Sequence, residues 1–194
     1  VKYLFTLLSI LFFGGCGSSK FYHLYPTIPA KEGSFNISKN IIGVAEVKLA
    51  DYIDKPQIVT QKSQNALEIR EKENWAGDFA KNIQSVITQD LNRLLSKKYT
   101  FVALPAEEVT DDKYRIFISI DRFDSNKEGL VVIDGRWSIK NLNSGKIIKM
   151  REFHYSLGGE IKSKDEDSLN TLAQTKSMLL ERLSRDIAKE VKTF

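Results

Sequence analysis

Few side chains in this sequence could take part in covalent or acid–base chemistry, and one of them stands apart. Among 194 residues there are one cysteine, Cys16, and two histidines, His23 and His154. Cys16 closes the run Leu11-Phe12-Phe13-Gly14-Gly15-Cys16 and precedes the polar stretch Gly17-Ser18-Ser19-Lys20. A thiol directly behind two glycines, themselves behind a bulky apolar residue, has the order of a bacterial lipobox. The cleaving peptidase accepts only small side chains at the cut, and the freed cysteine carries a diacylglyceryl group on sulfur and an N-acyl chain. Upstream lie one positive charge, Lys2, and eleven positions, 3–13, that are apolar apart from Thr6 and Ser9. This is the n-region and h-region of an export signal, too short for a bilayer core that takes about 20 residues. The alternative for an isolated cysteine is a buried, inert thiol.

The chemistry so implied is attachment. Several acyl chains, at ~0.8 kcal/mol per buried CH₂, hold a protein stably to a membrane where one does not. Gly17 rather than Asp behind the cysteine fits sorting to the outer membrane, facing the periplasm. No other cofactor and no metal is expected. His23 and His154 are far apart, and without a second cysteine there is neither a disulfide nor a thiolate site. The carboxylate pairs Glu107-Glu108 and Asp111-Asp112 read as solvated turns, and no Gly-x-Ser-x-Gly or phosphate-cradling loop occurs in residues 17–194. Lys and Arg number 29 against 25 Asp and Glu, interspersed without long like-charge blocks, which argues against a nucleic-acid partner. No catalytic residue is assigned, and the reading is non-enzymatic.

The elements that follow describe a signal over 1–15, a lipidated N-terminus and tether over 16–40, and one domain over 41–194. The tether is rich in Gly, Ser, Pro and Asn. Within it, Phe21-Tyr22-His23-Leu24-Tyr25 is too aromatic for a solvated linker and reads as a first strand or as a segment packed on the body. Apolar patterns predict strands over 41–49, 57–61 and 66–70, with a hairpin turn at 62–65. Trp75, Phe79, Ile83, Val86, Ile87, Leu91, Leu94 and Leu95 recur at three and four, predicting an amphipathic helix over 75–96 with Asn74 as N-cap. Three longer strands follow. Tyr114, Ile116, Ile118 and Ile120 share one face, with Phe117 and Phe123 on the other. Val131, Ile133, Trp137 and Ile139 share the next face, and 147–157 alternates less cleanly through Met150, Phe153, Tyr155 and Leu157. A second helix carries the stripe Leu169, Leu172, Ala173, Leu179, Leu180, Leu183, Ile187 and Val191. Acidic residues 165–167 stand at its N-terminus, and Lys176, Glu181, Arg182, Arg185, Asp186 and Lys189 on its outer face. The fold class is α+β: an antiparallel or mixed β-sheet with two amphipathic helices packed on one face.

These residues carry a resemblance. The lipobox, Phe21-Tyr22-His23-Leu24 and the run 43–60 (Gly-Val-Ala-Glu-Val-Lys-Leu-Ala-Asp-Tyr-Ile-Asp-Lys-Pro-Gln-Ile-Val-Thr) resemble the paraquat-inducible, PqiC-type outer-membrane lipoprotein family. Asn74-Trp75-Ala76, Ile118-Ser119-Ile120-Asp121-Arg122-Phe123-Asp124 and Arg136-Trp137 are similar as well. Ala50 stands where the family often has Pro, and Lys55 where Arg is usual, so a bidentate contact at Lys55 is lost. The resemblance implies an auxiliary lipoprotein of a transport system built on MCE (mammalian cell entry) domains. Such a protein docks from the outer membrane onto a periplasmic MCE-domain partner in an ABC-type assembly that moves phospholipid. Its other partner is membrane lipid through the anchor, and a homo-oligomer would suit a ring-like assembly.

On the chain itself, Asp51, Tyr52, Ile53, Asp54, Lys55 and Pro56 form a Pro-terminated loop whose aromatic suits a contact anchor, with Trp75 beside it as a lesser candidate. Tyr52 and Ile53 could equally pack inward to cap the sheet. Two other classes of function compete: a periplasmic carrier that encloses an acyl chain between sheet and helices, and a structural envelope lipoprotein.

Overall fold

The computed structural model describes residues 18–30, 38–106, 112–158 and 166–193, with side chains of the last segment from Ser168. The export signal with Cys16, the pair Glu107-Glu108 and the acidic side chains at 165–167 lie outside the described residues. In chain order the elements are β1 (Lys20–Tyr22), β2 (Ile41–Val44), β3 (Lys48–Leu49), β4 (Gln57–Ser63), β5 (Ala66–Trp75), α1 (Phe79–Leu95), β6 (Thr100–Ala103), β7 (Tyr114–Ser125), β8 (Leu130–Asn141), β9 (Ile147–Gly158) and α2 (Glu166–Val191).

Strict alternation builds the centre. Val131, Ile133, Trp137 and Ile139 of β8 are all buried, and β8 pairs antiparallel with β7 on one side and β9 on the other. This meander is extended by β2 and β6, which run parallel to their neighbours in the order β6-β2-β7-β8-β9. The expected strand over 41–49 is split: β2 and β3 both lie parallel along β7, at Ile42–Val44 and at Lys48–Leu49. The sheet is therefore mixed. A second, three-stranded sheet has the order β1-β5-β4, with β1 parallel to β5 and β4–β5 forming the expected hairpin.

Helices α1 and α2 bring their apolar stripes to one face of the large sheet and close a single core. At ~1.5 to 3 kcal/mol for each fully buried large side chain, this stripe-on-sheet burial dominates the favourable side of folding. The two-layer α+β arrangement follows from the patterns read above.

Three local expectations are corrected. Helix α1 begins at Phe79, not Trp75, and its N-cap is Asp78, whose Oδ1 accepts from the Lys81 N–H at 2.9 Å. Gly77, at φ +108°, separates strand from helix, so Trp75 ends β5 although its spacing to Phe79 continues the helical period. Phe123 is buried with Ile120 instead of opposing it, because the β7–β8 register slips between Ile120 and Arg122, a bulge that reverses which face alternate residues take. Lys176, assigned to the outer face of α2, is 1 % exposed.

The bulge has a partner on β8. A Cβ on Gly135 would stand 2.2 Å from the Ser119 carbonyl oxygen and 3.0 Å from the Ile120 Cα, backbone that cannot swing aside. Gly135→Ala is expected to destabilise by about 1 to 3 kcal/mol, read as a lowered urea midpoint at unchanged slope.

Candidate functional site

The aromatic segment behind the cysteine is both a strand and a packed segment. After β1 the chain crosses the two helices. Leu24 is buried, and its N–H and C=O bond Asn82 of α1 at 2.9 and 3.1 Å. Asn82 Nδ2 also lies 3.1 Å from His23 Nε2. Arg93 of α1 donates through Nη1 to the Pro26 and Ile28 carbonyls, at 3.2 and 2.5 Å. From α2, Ser177 Oγ accepts from the Tyr25 N–H at 3.2 Å, and Glu181 accepts from the Thr27 hydroxyl. Residues 23–28 are thus a strap that ties α1 to α2. Beneath it Asp90 is fully buried, and neither carboxylate oxygen has a well-formed hydrogen bond, the Ile28 amide being near enough only for a weak one. Burial pushes its pKa up to about 6, against the opposing pull of the Ile28 amide and Arg93.

The loop after β3 divides between inside and outside. Ile53 is 3 % exposed and packs in the core, as does Trp75 at 5 %. Asp51, Asp54 and Pro56 are exposed, and Lys55 is half-buried. Tyr52 is half-buried, and its hydroxyl donates to Asp124 Oδ2 at 3.0 Å. Asp124, itself buried at the end of β7, also accepts from Arg122 Nε at 3.0 and 3.2 Å. Arg122 Nη2 reaches Gln61 Oε1 of β4 at 3.0 Å. Burial first, then the neighbouring Asp124, raises the Tyr52 phenol pKa. The hydroxyl stays protonated and donates. Tyr52→Phe is expected to cost about 1 kcal/mol, more than an exposed hydroxyl, checked by thermal melting. Tyr52→Ala would lose stability too, so exposed Asp51 and Asp54 are the cleaner probes of any docking role.

Behind Asp124 lies the group that the sequence reading placed in solvent. The Lys176 ammonium donates to the Phe123 carbonyl and sits 3.9 Å from the centre of the Phe123 ring. Trp75 and Phe79, stacked on each other at 4.2 Å, stand 5.9 and 5.8 Å from it. Burial drives its pKa from 10.5 down to about 7, with the Asp124 charge opposing. An amine this enclosed has no approach for a substrate. It clamps α2 to the bulged end of β7, with aromatic faces offsetting part of its lost hydration.

Among the described residues no group of three or more His, Cys, Asp or Glu could hold a metal ion. His154 pairs with Asp134 through Nδ1 on an exposed part of the sheet. The open sheet face has a shallow groove of about 190 Å³ lined by Phe117, Ser119, Arg136, Ser138 and Met150. The interior groups Asp124, Lys176 and Asp90, and half-buried Asn82, are not among the sequence-based candidates. Lys176 and Asp90 had a visible signal: position 176 falls in register between Leu172 and Leu179, and position 90 three beyond Ile87 and four before Leu94, each on an apolar stripe.

The architecture recurs in known structures. One, of an uncharacterized protein, superposes with a TM-score of 0.70 at 18% identity, covering 90% of this chain and 99% of its own. Another, protein XCC0632 from Xanthomonas campestris, superposes with a TM-score of 0.67 at 15% identity over 87% of this chain and 92% of its own. At these identities the likeness is one of fold. No curated protein matches the sequence. The family described as ABC-type transport auxiliary lipoprotein component, however, matches residues 22–188, from the last residue of β1 almost to the end of α2. That span takes in the strap, the Tyr52 loop and the Lys176 clamp together, and the chain belongs to the ABC-type transport auxiliary lipoprotein component family.

Proposed function

We propose that this protein is an outer-membrane lipoprotein that faces the periplasm and serves as a non-enzymatic accessory subunit of an MCE-type, ABC-driven phospholipid transport system. The observation that carries the reading is that family membership coincides with a lipobox at Cys16. The acyl anchor stands four residues before β1, and the strap then fastens that end of the chain to both helices. No helix among the described residues is long and apolar enough to cross a membrane. The exposed side chains Asp51, Asp54 and Pro56, with half-buried Tyr52 and Lys55, form the surface offered to an MCE-domain partner.

The groove beside Phe117 gives no support to the acyl-carrier alternative. Its volume of about 190 Å³ is below the ~300 Å³ at which ligand pockets begin.

Crosslinking in the intact envelope, followed by identification of captured protein, tests the reading. An MCE-domain protein is the expected capture, and Asp51→Lys with Asp54→Lys should reduce it without lowering the melting temperature. Mass analysis of the mature chain should show an N-terminus at Cys16 with acyl mass added. A mature chain carrying a free Cys16 thiol overturns the reading.

A further inference from the structure

The β4–β5 hairpin reaches farther than the anchor allows it to stay clear of. Strands β1 and β5 run parallel, with Lys20 opposite Glu73 and Tyr22 opposite Trp75. The chain that enters β1 therefore arrives from the side to which β5 leads back, the turn at Gln64 and Asn65. From Glu73 the hairpin continues seven residues to Ala66, a distance of ~23 Å at strand rise. Cys16 precedes Lys20 by four residues and cannot be more than ~14 Å from it. The hairpin turn outreaches the tether.

The chemistry of that pole agrees. Gln61, Lys62, Ser63 and Gln64 share a cleft with Asn126, Lys127 and Glu128, so the β4–β5 and β7–β8 turns lie side by side. Leu130 and Leu157 end their strands at the same level, with Val131 opposite Leu157. Leu67, Ile69, Leu130 and Leu157 are all large apolar side chains left exposed. Leu67 and Ile69, two apart on β5, share one face of the hairpin. Lys62 and Lys127 are exposed beside them, and their stems can lie along apolar surface while the ammonium groups meet phosphate. Apolar side chains at strand ends beside turns that carry Lys62 and Lys127, with Glu68 and Glu128 also exposed among them, suit the boundary between lipid headgroups and acyl chains.

We propose that this pole, led by Leu67 and Ile69 of the hairpin, rests in the surface of the bilayer that holds Cys16. The contact fixes the orientation of the body, so that the opposite pole, at the β8–β9 turn, points away from the membrane. The proposal rests on the lipoprotein reading of Cys16, and its test separates the two. Acylation consumes the only native thiol, so Leu67→Cys in the full acylated chain gives one labelling position. Ile147→Cys, exposed at the far end of β9, gives the control.

Each variant is labelled with an environment-sensitive fluorophore and reconstituted into phosphatidylethanolamine–phosphatidylglycerol vesicles with brominated acyl chains. The label at position 67 should lose most of its emission and the label at 147 almost none. Equal quenching, no quenching at 67, or a disulfide-linked dimer through 67 overturns the proposal while flotation with the vesicles and acyl mass still uphold the lipoprotein reading. Loss of flotation and of acyl mass overturns both.

Discussion

Lys176→Met is expected to make the protein more stable at pH 6, by about 1 to 3 kcal/mol. The ammonium is enclosed by Phe123, Trp75 and Phe79, and burial holds its pKa near 7 instead of 10.5. At about 1.4 kcal/mol per pKa unit, that gap sets a ceiling of about 5 kcal/mol on what the charged form costs relative to the neutral one. Methionine fills similar space and lies well against aromatic rings. It forfeits the bond to the Phe123 carbonyl and the cation–π attraction, together about 2 to 3 kcal/mol. For a chain of this length the net gain is a rise of about 3 to 9 °C in melting temperature.

The pH dependence identifies the cause. The folded pKa of Lys176 lies below the unfolded one, so between pH 7 and 10.5 the unfolded chain holds a proton that the folded protein has released. Wild-type stability therefore climbs through that window. The methionine variant should lack the climb, so its advantage at pH 6 vanishes as pH rises and reverses, leaving wild type the more stable by up to about 2 to 4 kcal/mol above pH 10. Asp124 is the charged group that faces the ammonium, and with Arg122 and Tyr52 still bonded to it it keeps its place in the variant. Melting followed by circular dichroism across pH 6 to 10 checks this. A variant less stable than wild type at pH 6 would show that the clamp is worth more than its charge costs.

The elements that hold the site were legible wherever a single period ran uninterrupted. Every residue named from the β8 alternation and from the stripe of α2 is buried, though α2 also buries Lys176, Ser177, Ser184 and Ala188, and the resemblance at 43–60 pointed to the family. What failed was legibility at interruptions. Nothing in the composition of Ile118-Ser119-Ile120-Asp121-Arg122-Phe123 announces a bulge, yet one extra residue carries Phe123 into the core and Asp124 behind the Tyr52 loop. Trp75 kept helical spacing to Phe79, while the positive φ at Gly77 and the cap at Asp78 decided the boundary. Lys176 was misplaced because its charge outweighed its position, although the helical period put it in register with buried neighbours. Parallel pairing of β1 with β5, and of β2 with β6, joins residues too distant in sequence for any local pattern to pair them.

Asp90→Asn should act in the opposite direction of pH. The carboxylate is fully buried beneath the strap, and burial raises its pKa from 3.8 to about 6. Between those values the folded protein holds a proton that the unfolded chain has lost, so wild-type stability falls as pH rises through the window, by up to about 3 kcal/mol. Arg93 and Arg185 nearby favour the charged form and Glu181 disfavours it, so the fall is the balance of burial and Glu181 against two guanidinium groups and the Ile28 amide. The amide variant cannot ionise. It should fall below wild type by about 1 to 2 kcal/mol near pH 4, the cost of burying an amide with few partners, and exceed it by about 1 to 2 kcal/mol at pH 7.5. Between about pH 6 and 7 these two buried groups, Asp90 and Lys176, together contribute least to wild-type stability, Asp90 being already charged and Lys176 not yet neutral. Because Arg93 also grips Pro26 and Ile28, the strap should be where the strain shows first. Amide exchange at Leu24 and Tyr25 should slow in the asparagine variant at pH 7.5. Unchanged exchange there, together with a pH-independent gap between the two proteins, would locate the cost outside Asp90.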